Sequence, residues 1–264
     1  MPSGQSQFHG RIDQAQSGPL ATLLNATSQT IPMDATIYGK LVADADAAVA
    51  PIGSGATVMV GGFGGAGFPF ALRDALGQKA LSSLTVVCNN ADFGVLTRND
   101  GLKRLICSYP SGPSSELVKA QIESGNIELY ITPQGTLIEQ IRAGAAGLGG
   151  ILTPTGVGTE LEERFETVTV NGREYILAPS LRADFALVRA AVADSSGNLS
   201  CRRASRNFNP AMAMAATYTI AQVEAVVPVG ALDPDLIHIP SPFVDRIVVV
   251  PRTHSVGTSQ GESL

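Results

Sequence analysis

The alternation of apolar runs with helix-like stretches constrains the fold of this chain more than any other feature. Short runs of β-branched and aliphatic residues occupy residues 56–60, 84–88, 105–108 and 127–131. Near-continuous apolar runs are typical of parallel strands that are covered on both faces. We therefore predict an α/β fold, with a largely parallel sheet that is flanked by helices and joined by right-handed crossovers.

Helix start signals lie between these runs. Pro69, Ser114 and Thr136 each precede apolar residues at helical spacing, so a helix is predicted to begin near each of them. A similar spacing extends over residues 33–49 and stops before a proline. This pattern predicts that the folded domain opens with a helix.

The second half of the chain is less regular. Residues 167–170 and 173–177 flank Asn171-Gly172, the residue pair that best fits a two-residue type I′ turn. A small β-hairpin insertion is therefore predicted. The remaining predicted elements are strands over residues 185–192 and 246–250 and a helix over residues 210–216.

Composition limits the classes of function. The 264 residues include 18 Lys+Arg and 23 Asp+Glu, and a formal net charge of −5 argues against binding to nucleic acid. Charged residues make up only 16%, below the usual figure of about 25%, so a partner is expected to bury part of the surface. The cysteines, Cys88, Cys107 and Cys201, are too widely spaced for a disulfide framework or a thiolate metal site. A reducing, cytoplasmic location is expected.

The ends of the chain differ in composition from its centre. Residues 1–32 are polar and have no apolar periodicity, so they are predicted to be a disordered extension. Residues 33–252 are predicted to form one domain, and residues 253–264 a polar tail. Glycines and prolines interrupt the longest uncharged stretch, residues 47–72, so no membrane span is expected.

A glycine-rich turn follows the first predicted strand. It reads Val-Gly-Gly-Phe-Gly-Gly-Ala-Gly-Phe-Pro over residues 60–69, and successive backbone N–H groups in such a turn can cradle a phosphate. Gly62, Gly64 and Gly67 also satisfy the G-x-G-x-x-G pattern of dinucleotide-binding sites. That site needs an acidic residue at the end of the next strand, which here ends in two asparagines. Phosphate binding, dinucleotide binding and simple close packing of the glycines all stay open.

Four further motifs carry a resemblance to a known family. They are Asn89-Asn90-Ala91, T-P-Q-G-T at residues 132–136, T-P-T-G-V-G-T at residues 153–159 and R-N-F-N-P at residues 206–210. With G-G-F-x-x-x-G-x-P in the glycine-rich turn, their order and spacing resemble the alpha (A) subunit of the family I 3-oxoacid CoA-transferases. The resemblance covers residues 33–251 and implies the CoA-transferase, or NagB/RpiA-like, fold. Ser54 and Ser205 depart from the family pattern, neither at a reacting group.

The resemblance implies a ping-pong transfer of CoA. A glutamate carboxylate attacks an acyl-CoA to give an acyl anhydride and then a glutamyl-CoA thioester, from which CoA passes to a second acid. In this family the glutamate belongs to the beta subunit, so the chain would act only in a heterodimer or heterotetramer with that subunit. Acyl-CoA would be a substrate, succinyl-CoA or acetyl-CoA, with no permanently bound cofactor. The acceptor would be acetoacetate, 3-oxoadipate or acetate, which this sequence does not distinguish.

The same resemblance assigns the site residues. Gln134 would donate a hydrogen bond to the thioester or anhydride oxygen as that oxygen gains charge, although a Gln here could also cap a helix or fix a turn. Asn89 and Asn90 would line the substrate pocket, or would only form a turn after the strand. CoA or the acyl group would contact the backbone of Gly61, Gly62, Phe63, Gly64, Gly65, Ala66 and Gly67.

Other chemistry has less support in the sequence. Glu123-Ser124-Gly125 mimics a Glu-x-Gly nucleophile, but Glu123 falls near the end of a predicted amphipathic helix, where a structural role is expected. His238 lies in a predicted loop, and no metal ligand set is predicted. Two other functions are weighed: an NAD(P)-dependent oxidoreductase that uses the glycine-rich turn, and a non-catalytic binding subunit.

Overall fold

An eight-stranded sheet forms the centre of the computed structural model, which describes residues 39–90, 96, 100–110 and 115–251. The strands of the chain are β1 (Leu41–Val42), β2 (Thr57–Val60), β3 (Leu84–Asn90), β4 (Leu102–Tyr109), β5 (Glu128–Ile131), β6 (Gly150–Thr153), β7 (Glu166–Val170), β8 (Arg173–Pro179), β9 (Ala183–Arg189), β10 (Val192–Asp194), β11 (Leu199–Ser200), β12 (Ala216–Val223), β13 (Ala225–Val227) and β14 (Arg246–Val249). The central sheet has the order β1-β14-β12-β9-β2-β3-β4-β5, and all its strand pairs are parallel.

The strand order of this sheet reverses at β2. Strands β3, β4 and β5 follow one another on one side of β2, whereas β9, β12 and β14 follow on the other side. Ligands of open α/β sheets bind outside the carboxyl ends of the strands, at the point where the order reverses. The segments that follow β2 and β9 therefore frame the expected site.

Helices cover both faces of the central sheet. They are α1 (Ala45–Val49), α2 (Phe70–Gln78), α3 (Ser115–Glu123), α4 (Gln134–Ala145) and α5 (Asn209–Ala215). Leu72 and Val118 bring α2 and α3 into the core on one face, and Leu137 and Met212 bring α4 and α5 into the core on the other. The predicted fold class, a largely parallel sheet flanked by helices, is confirmed. Within the described residues no helix has the length and apolar character of a membrane span.

Two smaller sheets lie outside the central one. Strands β7 and β8 form an antiparallel hairpin, and φ angles of 51° at Asn171 and 77° at Gly172 give the type I′ turn that the sequence predicts. The hairpin insertion is therefore confirmed, and β6 extends it to three strands. Strands β11, β10 and β13 form the third sheet.

A buried aspartate closes the loop between β10 and β11. Asp194 Oδ1 accepts hydrogen bonds from the backbone N–H groups of Ser196, Gly197 and Asn198, at 3.0, 2.9 and 2.9 Å. Asn198 Nδ2 donates to the other carboxylate oxygen at 2.8 Å. Burial alone would raise the pKa of Asp194, but the hydrogen bonds to its ionised form outweigh burial and hold the pKa below its ordinary value.

The predicted opening helix is confirmed only over its last five described residues, Ala45–Val49. Leu41–Val42 forms an edge strand that pairs with β14, and α1 has only 5 residues. The helix begins where the Asp44 carboxylate accepts a hydrogen bond from the Ala47 backbone N–H at 2.8 Å. Spacing alone does not separate strands from helices in short apolar runs. Residues 33–38 lie outside the described residues, and the boundaries of the predicted extension and tail stay predictions.

Two predicted elements of the second half have other bounds. The strand predicted over residues 185–192 is two strands, β9 and β10, which belong to different sheets. Between them the backbone N–H of Ala191 donates to Ser200 O in β11. This change of partner ends β9, and the largely apolar sequence does not indicate it. The helix predicted over residues 210–216 is α5, which ends one residue earlier because the unpredicted strand β12 begins there.

Candidate active site at the carboxyl edge of the sheet

The glycine-rich turn begins directly after β2. Phe63 and Ala66 exchange two backbone hydrogen bonds, of 3.0 and 2.9 Å, around Gly64 and Gly65. The φ angles of these glycines, 53° and 85°, are left-handed, as a tight two-residue turn requires. A Cβ atom on either glycine would meet no other atom within 4 Å. The tip of the turn is therefore open to a ligand.

The base of the turn is packed against the protein. A Cβ atom on Gly61 would overlap the side chain of Asn209, and one on Gly62 would lie 2.8 Å from Phe68 Cα. These two glycines have the close-packing role that the sequence left open. The structure thus divides the predicted ligand-binding turn into an open tip and a packed base.

A chain of hydrogen bonds joins the turn to Gln134. The backbone N–H of Gly64 donates to Asn90 Oδ1 at 3.1 Å, and Asn89 Nδ2 donates to the same oxygen. Asn89 Oδ1 accepts from Gln134 Nε2 at 2.6 Å. The structure therefore brings together the three segments in which the sequence predicts site residues.

The backbone fixes the direction of this chain. The N–H of Gly64 can only donate, so Asn90 must present its carbonyl oxygen. Asn89 then presents its amide nitrogen to Asn90 and its oxygen to Gln134. Gln134 must direct its own amide nitrogen toward Asn89, and the second N–H of that nitrogen is left for another acceptor.

Gln134 is the first residue of α4. Pro133 precedes it, and no side chain caps the first turn of the helix, so the first backbone N–H groups and the positive end of the helix dipole lie at the same place. The Gln134 amide binds Asn89 and does not cap the helix. Gln134 is exposed, whereas Asn89 is 2% exposed. Asn89 is therefore a buried hydrogen-bond partner of Gln134, and its place in a substrate pocket stays a prediction.

Two hydroxyl groups near this chain were not predicted as site residues. Thr136 Oγ1, in the first turn of α4, and Ser108 Oγ, on β4, are buried without a hydrogen-bond partner in the described part of the protein. The register of β3 and β4 places Ser108 beside Asn89. Buried hydroxyls normally have partners, so both are candidates for hydrogen bonds to a bound polar group.

The Arg-Asn-Phe-Asn-Pro motif anchors the glycine-rich turn. Asn207 Nδ2 donates to Ala66 O at 2.9 Å. Asn209 is completely buried, donates to Gly67 O at 3.1 Å and accepts from the Arg189 backbone N–H at 3.0 Å. The two asparagines tie the turn after β2 to the end of β9, across the reversal of strand order. This motif contributed to the family resemblance, but its role in anchoring the turn was not predicted from the sequence.

The two departures from the family pattern have local structural roles. Ser205 Oγ accepts from the Arg202 backbone N–H at 3.0 Å and donates to the Arg202 carbonyl, which closes the 3-10 turn Arg203–Arg206. Ser54 Oγ accepts from the Ser82 backbone N–H at 3.0 Å. Both hydroxyls therefore fix loops and leave the site's hydrogen-bond chain untouched.

Glu123 lies away from this edge of the sheet. It ends α3, which precedes the amino end of β5, whereas Gln134 follows the carboxyl end of the same strand. Its side chain is 66% exposed and faces Lys119 at 3.9 Å. These observations support the structural role that the sequence favours for Glu123.

The buried thiols and His238 offer no reactive group. Burial raises the pKa of Cys107 to about 11, and burial beside Cys107 raises that of Cys88 well above its ordinary value. Burial raises the pKa of Cys201 to about 12, although Arg206 acts in the opposite direction. His238 Nδ1 accepts from the Cys201 backbone N–H at 2.9 Å, so its role is structural. No group of three or more His, Cys, Asp or Glu in the described ranges could hold a metal ion.

Comparison with known proteins decides the family. The family model described as Coenzyme A transferase matches residues 42–250. The chain belongs to the coenzyme A transferase family. It is 42% identical to the A-subunit of succinyl-CoA:3-ketoacid coenzyme A transferase from Helicobacter pylori, over 79% of this chain and 91% of that protein. It is 44% identical to the A-subunit of 3-oxoadipate CoA-transferase from Acinetobacter baylyi, over 81% of this chain and 96% of that protein.

A solved acyl-CoA transferase from Escherichia coli O157:H7, determined as a thioester complex with CoA, has the same fold. The TM-score is 0.74 at 24% identity, and the match covers 87% of this coenzyme A transferase chain but 50% of that protein, so this chain spans half of its length. The prediction of a CoA-transferase alpha subunit is confirmed. The oxidoreductase alternative is not supported, and β3 ends at Asn90 without the acidic residue that it requires.

Proposed function

We propose that this chain is the catalytic alpha subunit of a CoA-transferase that moves CoA from succinyl-CoA or acetyl-CoA to a short acid. The acceptor would be acetoacetate, 3-oxoadipate or acetate. A beta subunit supplies the nucleophilic glutamate, and this chain supplies the groups that stabilise negative charge. The observation that carries the proposal is the hydrogen-bond chain from Gly64 through Asn90 and Asn89 to Gln134, because it aims one amide N–H at the edge of the sheet.

The first half-reaction starts with attack on the thioester. The glutamate oxygen of the partner bonds to the acyl carbon, and the carbonyl oxygen becomes an oxyanion. The free N–H of Gln134 donates to that oxyanion, and the N-terminal end of α4 adds a favourable dipole. The carbon–sulfur bond then breaks, which leaves a mixed anhydride and a CoA thiolate.

The thiolate completes the half-reaction. It attacks the glutamyl carbonyl carbon of the anhydride, forms a second oxyanion and expels the first acid as its carboxylate. The product is the glutamyl-CoA thioester. The second acid reverses both steps, so the glutamate is regenerated and no proton is consumed overall. Each step passes through an oxyanion, so one well-placed donor serves all of them.

The glycine-rich turn supports binding of acyl-CoA as a substrate. Its tip, Gly64-Gly65, is open, and Phe63 beside the tip is 48% exposed. Close approach of backbone N–H groups suits the polar part of such a ligand, and Phe63 suits an apolar part. No permanently bound cofactor is needed, because the thioester itself is the activated group.

Exposed apolar residues support a partner at the same edge. Phe63, Tyr109 and Ile131 follow or end β2, β4 and β5, and all three are more than a third exposed. Apolar side chains left exposed near a functional site are typical of an interface with another protein. A heterodimer or heterotetramer with the beta subunit would cover them.

Co-expression with the beta subunit tests the proposal. The purified complex is assayed with succinyl-CoA and acetyl-CoA against acetoacetate, 3-oxoadipate and acetate. We expect transfer to at least one acceptor with ping-pong kinetics. An assembled complex that binds acyl-CoA but transfers CoA to none of these acids would contradict the proposal and favour a non-catalytic binding subunit.

A further inference from the structure

Four arginines surround the segment that anchors the glycine-rich turn. Arg189 ends β9, and Arg202, Arg203 and Arg206 lie in or beside the 3-10 turn before α5. The Glu224 carboxylate pairs with two of them, at 3.4 Å from Arg189 and 3.1 Å from Arg202. Four positive charges against one negative charge leave an excess of three, on a chain whose formal net charge is −5.

Arg203 and Arg206 are the unpaired members of this cluster. Both are exposed, and neither guanidinium group has a hydrogen bond or an ion pair with any residue that the structure describes. Burial lowers the pKa of His238, and the positive charge of Arg206 lowers it further, so the two side chains interact electrostatically. Arg203 has a left-handed φ of 50°, which is unfavourable for a residue other than glycine. The fold therefore holds two uncompensated guanidinium groups at a strained turn.

The turn that carries them packs directly on the glycine-rich turn. A Cβ atom on Gly67 would lie 2.7 Å from Ser205 O, so the two backbones are in close contact. Asn207 Nδ2 donates a hydrogen bond to Ala66 O at 2.9 Å. The backbone N–H groups of Gly65 and Gly67 donate no hydrogen bond to any described residue. The turn with the free backbone donors and the turn with the unpaired arginines are therefore in contact, at the reversal of strand order.

We propose that Arg203 and Arg206, with the N–H groups of Gly65 and Gly67, bind phosphate groups at the nucleotide end of acyl-CoA. This inference rests on the proposed function. Backbone N–H groups and arginines together are typical phosphate ligands, and arginine forms two parallel charge-assisted hydrogen bonds with phosphate. A carboxylate of the partner subunit could also pair with the arginines, but it would leave the backbone N–H groups of Gly65 and Gly67 without an acceptor. The free N–H groups therefore favour a phosphate.

The position also suits one extended ligand. Gln134 reaches Asn89 on β3. Arg203 and Arg206 lie in the turn before α5, and the first residue of α5, Asn209, is hydrogen-bonded to the end of β9, two strands from β3 in the sheet. At the usual strand spacing β3 and β9 are about 10 Å apart. The thioester and the nucleotide end would therefore occupy different parts of the same edge.

The test uses the complex with the beta subunit. The double variant Arg203→Gln/Arg206→Gln is compared with Arg203→Lys/Arg206→Lys, and Arg142→Gln, an exposed arginine of α4 paired with Glu139, is the matched control. KM and kcat are measured with succinyl-CoA, with its 3′-dephospho form and with succinyl-pantetheine, which has no phosphate. Assembly is measured by analytical ultracentrifugation.

We expect the Gln variant to raise KM for succinyl-CoA at least about tenfold with kcat within about twofold of wild type. Its kinetics with succinyl-pantetheine should equal those of wild type, and the Lys variant should recover part of the loss. The dephospho substrate distinguishes the two phosphate sources: an effect that disappears with it assigns the arginines to the 3′-phosphate, and one that persists assigns them to the diphosphate.

Three results would overturn the inference: an unchanged KM for succinyl-CoA, an equal loss with succinyl-pantetheine, or weakened assembly, which would assign the arginines to the partner subunit. If the wild-type complex transfers no CoA at all, the proposed function fails. In that case equilibrium binding of CoA and pantetheine to the same variants still tests the arginines.

Discussion

Replacing Gln134 with alanine removes the group that the hydrogen-bond chain aims. The change is compatible with the fold, because Gln134 is exposed and alanine favours helices. It deletes the 2.6 Å bond to Asn89 and the second N–H, which would meet the developing oxyanion. The variant therefore separates stabilisation of the transition state from binding of the substrate.

The size of the effect follows from that missing donor. Removing one oxyanion-hole hydrogen bond costs about 2.7 to 4 kcal/mol, or about 10²- to 10³-fold in kcat. The oxyanion exists only along the reaction path, so kcat and kcat/KM should fall together while KM changes little. Gln134→Glu should be at least as damaging, because a carboxylate cannot donate to Asn89 and repels both the oxyanion and the glutamate of the partner.

A second glutamine on the same helix is the control. Gln140 is buried, and its Nε2 donates to Pro179 O at 2.7 Å. Gln140→Ala should lose about 0.5 to 1.5 kcal/mol of stability, because it removes this hydrogen bond, with kcat unchanged. Gln134→Ala should also lower stability, because it leaves Asn89 Oδ1 buried without its donor. An unchanged kcat in Gln140→Ala would show that lost stability alone does not lower kcat.

Steady-state kinetics and rapid-quench measurement of the enzyme–CoA thioester are made on both variants in the assembled complex. A Gln134→Ala complex whose kcat stays within about threefold of wild type, and that forms the thioester at the normal rate, would refute the reasoning. Gln134 would then be only a helix-terminal residue.

Gly62→Ala should lower the free energy of unfolding by at least about 1 kcal/mol, because its φ is 112° and a Cβ atom would lie 2.8 Å from Phe68 Cα. An unchanged thermal midpoint would contradict that packing role. Because the pKa of Asp194 is depressed in the folded state, its stabilising contribution is complete above the unfolded-state pKa of about 4 and is lost as the pH falls through the folded-state value. Asp194→Asn should lower stability at neutral pH and remove this part of the acid dependence, which urea titrations at several pH values would detect. Burial and raised pKa values should keep Cys88 and Cys107 unreactive toward a thiol reagent at neutral pH until the chain is unfolded, and fast labelling of the native protein would contradict this.

Most of the central sheet could be predicted because its strands are apolar on both faces. β2, β3 and β5 fall within two residues of their predicted bounds. β12 was missed because it follows α5 without a turn residue, in the stretch Ala-Met-Ala-Met-Ala-Ala-Thr-Tyr-Thr. An alanine-rich helix that passes directly into a strand gives no local signal of the boundary.

The site residues could be named from motifs, but their contacts could not. Gly64, Asn90, Asn89 and Gln134 meet only because β2, β3 and β5 end at the same edge of the sheet. That arrangement depends on strand order and register, which a sequence pattern does not specify. The anchoring of the glycine-rich turn by the R-N-F-N-P motif depends in the same way on β9 lying next to β2.

The central claim is that this chain stabilises an oxyanion while the thioester forms on the partner. The complex is incubated with succinyl-CoA in the absence of an acceptor and quenched, and the intact mass of each chain is measured beside the turnover of this chain alone. We predict that the partner gains the mass of CoA less one water, that this chain gains nothing, and that it has no turnover alone. A CoA adduct on this chain, or turnover without the partner, would contradict the account.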